Sequence, residues 1–187
     1  MQSNHYSSHY YNQSSDSAFN DESELFILPF EPHLAVHFER INRIWIEEMF
    51  VLEKIDERVL QNPQRYIIDK GGYVFFVSHK RLGIVGTCAL MHTGDQNFEL
   101  TKMGVLPQAR GLKVGEQLLQ FVIQYAKQIP ANMLYLLTNK KCAAAIHLYE
   151  KNGFHHDAGI MERYGKAYER CNVAMLYRRC AIDIKQK

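Results

Sequence analysis

Cysteine is scarce in this chain: four residues in 187, at positions 88, 142, 171 and 180, with no C-x-x-C pair. That spacing argues against a disulfide framework, and the thiols are read as reduced. Long apolar runs are missing too. Nothing approaches the ~20 residues a membrane-spanning helix needs, and the first residues hold no apolar signal-peptide core. Excess charge of one sign is absent. The formal net charge of +2 is too small to argue for nucleic acid. No Gly-Lys-Ser/Thr closes a phosphate-binding loop, and no Gly-x-Ser-x-Gly marks a serine nucleophile. Cys142 and His147 stand five apart and share a helix face poorly, which argues against a thiol nucleophile. His155-His156 lacks ligand partners at recognisable spacing, so no metal is expected. These absences point to a cytoplasmic protein with neither a nucleic-acid nor a membrane partner.

What is present is an ordinary globular composition, 47% hydrophobic and 22% charged. Residues 1–23 are rich in Ser, Asn, His and Tyr and poor in aliphatics, and are read as a flexible polar tail. His5 and His9 within it are not read as a metal site. Residues 24–187 are read as one domain.

Leu25–Phe30 reads as a first strand. From about His33 to Leu60 apolar residues recur at three- and four-residue steps (Leu34, Phe38, Ile41, Trp45, Met49, Leu52, Ile55, Val59), and Asn62-Pro63 closes this helical region. Tyr73–Ser78 and Ile84–Met91 form a predicted hairpin, followed by a strand over Phe98–Leu106. An amphipathic helix runs from Val114 to Pro130. A strand at Met133–Thr138, a helix at about Cys142–Lys151 stopped by Asn152-Gly153, and a strand at Asn172–Arg178 complete the order. The expected fold class is a mixed α/β domain whose antiparallel half precedes a β-α-β-α-β half.

The segment LTKMGVLPQARGLKVG, residues 100–115, is the most informative. A strand ends, a proline turn follows, and a basic, glycine-bearing loop opens a helix. Unpaired N–H groups at the positive end of a helix dipole make a site for an anion, read here as phosphate or pyrophosphate. Gly111 and Gly115 permit close backbone approach, and Arg110 and Lys113 add charge.

These elements resemble the GCN5-related N-acetyltransferase (GNAT) superfamily. Val105-Leu106-Pro107 followed by Arg110-Gly111-Leu112-Lys113-Val114-Gly115 is similar to that family's V-x-P and Gln/Arg-x-x-Gly-x-Gly/Ala loop. Leu148-Tyr149-Glu150-Lys151-Asn152-Gly153-Phe154 is similar to its L-Y-E-K-x-G-F helix end. The likeness covers about residues 24–179. Lys113 stands where the loop usually has Gly, and Cys142 where many members carry Asn; Asn139 is the candidate to supply that polar group.

The resemblance implies a GNAT acyl-CoA N-acyltransferase fold: a central, mostly antiparallel sheet with a splayed parallel pair, flanked by helices. It also implies an N-acetyltransferase that moves acetyl from acetyl-CoA to a primary amine, by direct attack and without a metal. The loop N–H groups would hold the CoA pyrophosphate, and the backbone of Met103, Gly104 and Val105 the pantetheine, with the Val105 N–H polarising the thioester carbonyl. Glu99 is the candidate base, directly or through water, since an alkylammonium of pKa about 10.4 must lose a proton before it attacks. Its bland alternative is a pair with a structural Lys or Arg. Strand alternation puts Glu99 with Thr101 and Met103, opposite Leu100 and Lys102. Tyr149 is the candidate acid for the leaving thiolate. Trp45, Glu47, Glu48 and Tyr168 are weaker candidates for the acceptor wall, with at least one of the two glutamates expected on a plain charged surface. Glu169 and Arg170 read as a local ion pair. The rivals are an acyl-CoA-binding or sensing module without turnover, and a protein or peptide N-acetyltransferase. A monomer or a homodimer both fit.

Overall fold

A computed structural model describes residues 24–178, so the expected tail with His5 and His9, Cys180 and the last nine residues lie outside the described residues. One seven-stranded sheet carries the domain, in the order β1-β2-β3-β4-β5-β7-β6. Its strands are β1 (Leu25–Pro29), β2 (Tyr73–His79), β3 (Gly83–His92), β4 (Asn97–Val105), β5 (Met133–Thr138), β6 (Phe154–His156) and β7 (Val173–Tyr177). Every pairing is antiparallel except β4 with β5. The expected mixed α/β sheet with one parallel pair is borne out.

Period-two alternation separates two cores. On β2, Val74 and Phe76 face a cluster with Phe38 and Ile46 of α1 (Ala35–Met49). Phe75 and Val77 face the opposite cluster with Leu118 and Val122 of α4 (Val114–Gln128). The expected helical region at 33–60 divides into two helices. The chain turns extended at Phe50, and α2 (Lys54–Gln61) starts afresh at Glu53. A capping box between Glu53 and Asp56 satisfies donors at that new start, which is why the apolar rhythm through Leu52 does not make a continuous helix. The short α3 (Pro63–Tyr66) follows, capped by Asn62. Beyond β5 come α5 (Ala143–Lys151) and α6 (Ala158–Tyr164). The latter was not expected. Its one buried residue is Ile160, too little to print a periodic signal, and the Asp157 side chain caps it by accepting from the Ile160 N–H at 2.9 Å.

Two irregularities shape the site. Parallel pairing of β4 with β5 runs only from Asn97↔Met133 to Leu100↔Leu136, and both strands then continue without pairing to each other. Within β4 a bulge sets two residues, Lys102 and Met103, against the single Cys88 of β3, with Lys102 at φ 52°.

Candidate active site

The bulge inverts the phase of β4, so the strand does not alternate as the unbroken pattern predicts. Lys102 lies on Glu99's side of the sheet: its Nζ is 3.1 Å from Asp56 Oδ1 and 3.3 Å from the Tyr168 hydroxyl. Met103 turns instead to the face of Leu100 and packs in the α4–α5 core, its Sδ 4.0 Å from the Tyr149 hydroxyl. The expected grouping of Glu99 with Met103, opposite Lys102, is therefore corrected.

Where β4 and β5 separate, a cavity of about 60 Å³ opens between them. Trp45 and Phe50 are in its lining, with two further groups: Met103 and Tyr149, which meet at 4.0 Å and mark one end, and Lys102, Tyr168 and Arg170, which contact one another and mark the other. Of the predicted site residues, Trp45, Met103, Asn139, Tyr149 and Tyr168 meet here. Gly104 is where α1 presses on β4: a Cβ there would stand 2.7 Å from Trp45 Cδ1. Glu47 and Glu48 lie outside, in an adjoining cleft that shares Phe50 and Arg170 with the cavity. Glu47 is paired with Arg43 at 3.3 Å and Glu48 with Arg110 at 3.2 Å, so both carboxylates already hold partners. Asn139 is committed as well, donating to the Arg170 carbonyl at 2.6 Å and accepting from the Lys141 N–H at 2.9 Å. Its amide ties the loop with one of its two N–H donors, and the second has no partner among the described residues.

Glu99 is 4% exposed and not itself in the cavity lining, behind Thr101 and Tyr168, and its Oε1 has no hydrogen-bond partner among the described residues. Burial pushes its carboxyl above the usual range, opposed by the Lys102 charge and by the hydroxyls of Thr101 and Tyr168. Burial likewise raises the Tyr149 phenol, with Cys88 and Cys142 nearby adding to the effect. Tyr149 therefore stays protonated and available as a donor.

The residues that sequence reading missed are Asp56 and Lys102, and Arg170 was given the wrong partner. Arg170 pairs not with Glu169 but with Asp56, through two contacts of 2.6 and 3.0 Å, and with Glu53 at 2.9 Å. Asp56 is fully buried. Burial alone would raise its carboxyl, but the Arg170 hydrogen bonds and the Lys102 charge outweigh it and hold it below the ordinary value. A Glu and a Lys inside one apolar strand were the available signal.

The loop before α4 has the geometry of an anion cradle. Gly111 has φ 86°, and Lys113, the residue preceding α4, has φ 58° with no side-chain cap. The first N–H groups of α4 have no intrahelical acceptors. Gly115 lies against Met103, Val105 and Leu148, which brings this helix start to the cavity's Tyr149 end. A left-handed lysine is strained by roughly 1–2 kcal/mol. Lys113→Gly is expected to raise stability by about 1 kcal/mol in urea denaturation, after glycine's own entropic cost. An unchanged or lower midpoint would show that the turn is not strained.

No helix among the described residues is long and apolar enough to cross a membrane. Residues 71–156 match the family model described as an acetyltransferase (GNAT) domain. Over 104 residues the chain is 29% identical to an uncharacterized N-acetyltransferase of Schizosaccharomyces pombe, covering 54% of this chain and 63% of that one, so it spans less than two thirds of that relative. A GNAT-family acetyltransferase from Staphylococcus aureus superposes with a TM-score of 0.73 at 22% identity, over 82% of this chain and 98% of the other. Spermidine N-acetyltransferase from Vibrio cholerae, solved with CoA and spermine, gives 0.60 at 19% identity, over 84% and 96%. These two likenesses speak for the fold.

Proposed function

We propose that this chain, whose residues 71–156 match an acetyltransferase (GNAT) domain, transfers an acetyl group from acetyl-CoA to a primary amine. The observation that carries the reading is the separation of β4 from β5, with Tyr149 at one end of the opening and the uncapped start of α4 beside it. The residues present fit the co-substrate. The N–H groups from Gly111 to Gly115 would hold its pyrophosphate, where Gly111 and the left-handed Lys113 shape the turn. Bound acetyl-CoA supplies the activated acetyl group.

The remaining work falls to this chain's own groups. Glu99 takes the amine's proton through a hydroxyl or water, since it stands behind the wall with Thr101 and Tyr168 as its polar neighbours. A carboxyl raised by burial is a better matched base near neutrality than an ordinary one. The Val105 N–H would support the charge that develops on the carbonyl oxygen, a contribution of about 2.7–4 kcal/mol at comparable acyl-transfer sites. The Tyr149 hydroxyl would return a proton to the departing sulfur. The domain is taken to span 24–187, working as monomer or homodimer in the cytoplasm.

The withdrawn position of Glu99 favours one rival, a module that binds acyl-CoA without turnover. CoA-thiol release by the pure protein, compared with Glu99→Gln, separates them. Expected is release by the wild type and a 10²–10⁴-fold lower kcat/KM in the variant, with acetyl-CoA affinity unchanged. Because Glu99 is raised, the wild-type rate should drop as pH is lowered, beginning above the ordinary carboxylate range, and Glu99→Gln should lose that acid limb. Acetyl-CoA bound but never turned over, across amines of every class, would sink the enzyme reading.

A further inference from the structure

The two ends of the cavity differ in charge. At the end away from Tyr149, the charged residues in the lining are Lys102 and Arg170, and no carboxylate is among the lining residues. Their partners stand back from it: Asp56 is fully buried, and Glu53 opens onto the adjoining cleft. Glu99 is behind the wall. The charged side chains exposed to this end are thus cationic, each paired on its far side with a carboxylate that does not line the cavity.

Those cations also keep donors in reserve. A guanidinium has five N–H groups and an ammonium three. Arg170 commits both Nη1 hydrogens, to Glu53 and Asp56, and one Nη2 hydrogen, to Asp56. Its Nε–H and second Nη2–H have no partner among the described residues. Lys102 commits two of three, to Asp56 and Tyr168. Phe50, the wall shared by cavity and cleft, has Arg170 over its ring at 5.9 Å and Lys141 at 5.6 Å, so the lip is basic too. The cleft beyond carries charge of both signs, including Glu47, Glu48 and Lys166, and selects for neither.

Resting on the acetyl-transfer reading above, we propose that the acceptor is an amine bearing a carboxylate close to its nitrogen, an amino-acid-like zwitterion rather than a polyamine. The carboxylate takes the uncommitted N–H groups of Arg170 and Lys102, and the amine turns toward the β4–β5 opening. Planar guanidinium donors suit two carboxylate oxygens at once. A polyamine has no carboxylate to meet in this lining, and it offers no acceptor to the uncommitted N–H groups.

The test uses the full chain with acetyl-CoA and three matched sets: alanine, glutamate and phenylalanine, each beside its carboxamide and its decarboxylated amine, with spermidine as the polycation. Expected is at least a tenfold higher kcat/KM for the free acid in one or more sets. Arg170→Lys, which keeps a cation beside Asp56, is expected to raise KM for that acid about tenfold while leaving KM for acetyl-CoA and for the carboxamide unchanged. Calorimetry of N-acetylphenylalanine and N-acetylphenylethylamine, with CoA present, reads the same site without turnover. Carboxamides or spermidine used as well as the acids would overturn the proposal. So would equal binding, or no binding, of the two acetylated probes. If no amine is acetylated but N-acetylphenylalanine alone binds, in an Arg170-dependent way, the carboxylate site stands and the transfer reading fails.

Discussion

Asp56→Asn is expected to destabilise the fold by about 3–5 kcal/mol, the usual effect of removing one partner from a buried ion pair. Lys102 and Arg170, 2% and 16% exposed, would be left facing each other across a neutral amide. For a chain of this length the loss lowers the melting temperature by roughly 10 °C. The effect has a pH signature. Asp56 is held below its ordinary value, so its stabilisation is fully present above the unfolded-state carboxylate pKa of about 3.9 and disappears as pH falls through the depressed one. The variant should lose that acid dependence. Pairing Asp56→Leu with Lys102→Leu should recover part of the loss, because hydrophobic replacement of a buried pair is often close to neutral. Melting within about 2 °C of wild type would mean that the ion cluster contributes little.

Tyr149→Phe is expected to lower kcat by about 10²–10⁴-fold at unchanged KM for acetyl-CoA, the range for loss of a positioned proton donor. The variant is clean in packing terms. The ring is 8% exposed and sits edge-on to Phe154 at 5.9 Å, a contact phenylalanine keeps. The hydroxyl's contact is with Met103 Sδ at 4.0 Å, too weak to hold the fold. Thermal stability should therefore be near wild type. A fall in kcat matched by an equal rise in KM would assign Tyr149 to binding.

Much of this architecture was legible because it is local. The loop from Arg110 to Gly115 and the helix end from Leu148 to Phe154 are contiguous stretches whose residue types state their geometry. The bounds of β5 were read correctly, since Met133–Thr138 is a short apolar run between turn residues. What the sequence concealed depends on distance along the chain. Asp56, Lys102 and Arg170 meet only because α2, the β4 bulge and the segment before β7 converge, and no periodicity connects three such separated residues. The bulge itself was hidden by its own nature: one unpaired residue reverses every later facing in β4, and the pattern around Lys102 reads equally well without it. Leu52 continued the apolar rhythm of α1 while the capping residues Glu53 and Asp56 were beginning another helix.

The opening between β4 and β5 exists because two backbones part, not because side chains were trimmed to make room. Contacts offered by main-chain N–H groups do not depend on which side chain each residue carries, so the donor half of such a site is insulated from substitution. The proposed acceptor half is not: Lys102, Tyr168 and Arg170 present side chains to it. On the acetyl-transfer reading, the molecule would separate what it transfers from whom it transfers to, and exchanging a few residues on the α1–α2 side would redirect the second while leaving the first intact.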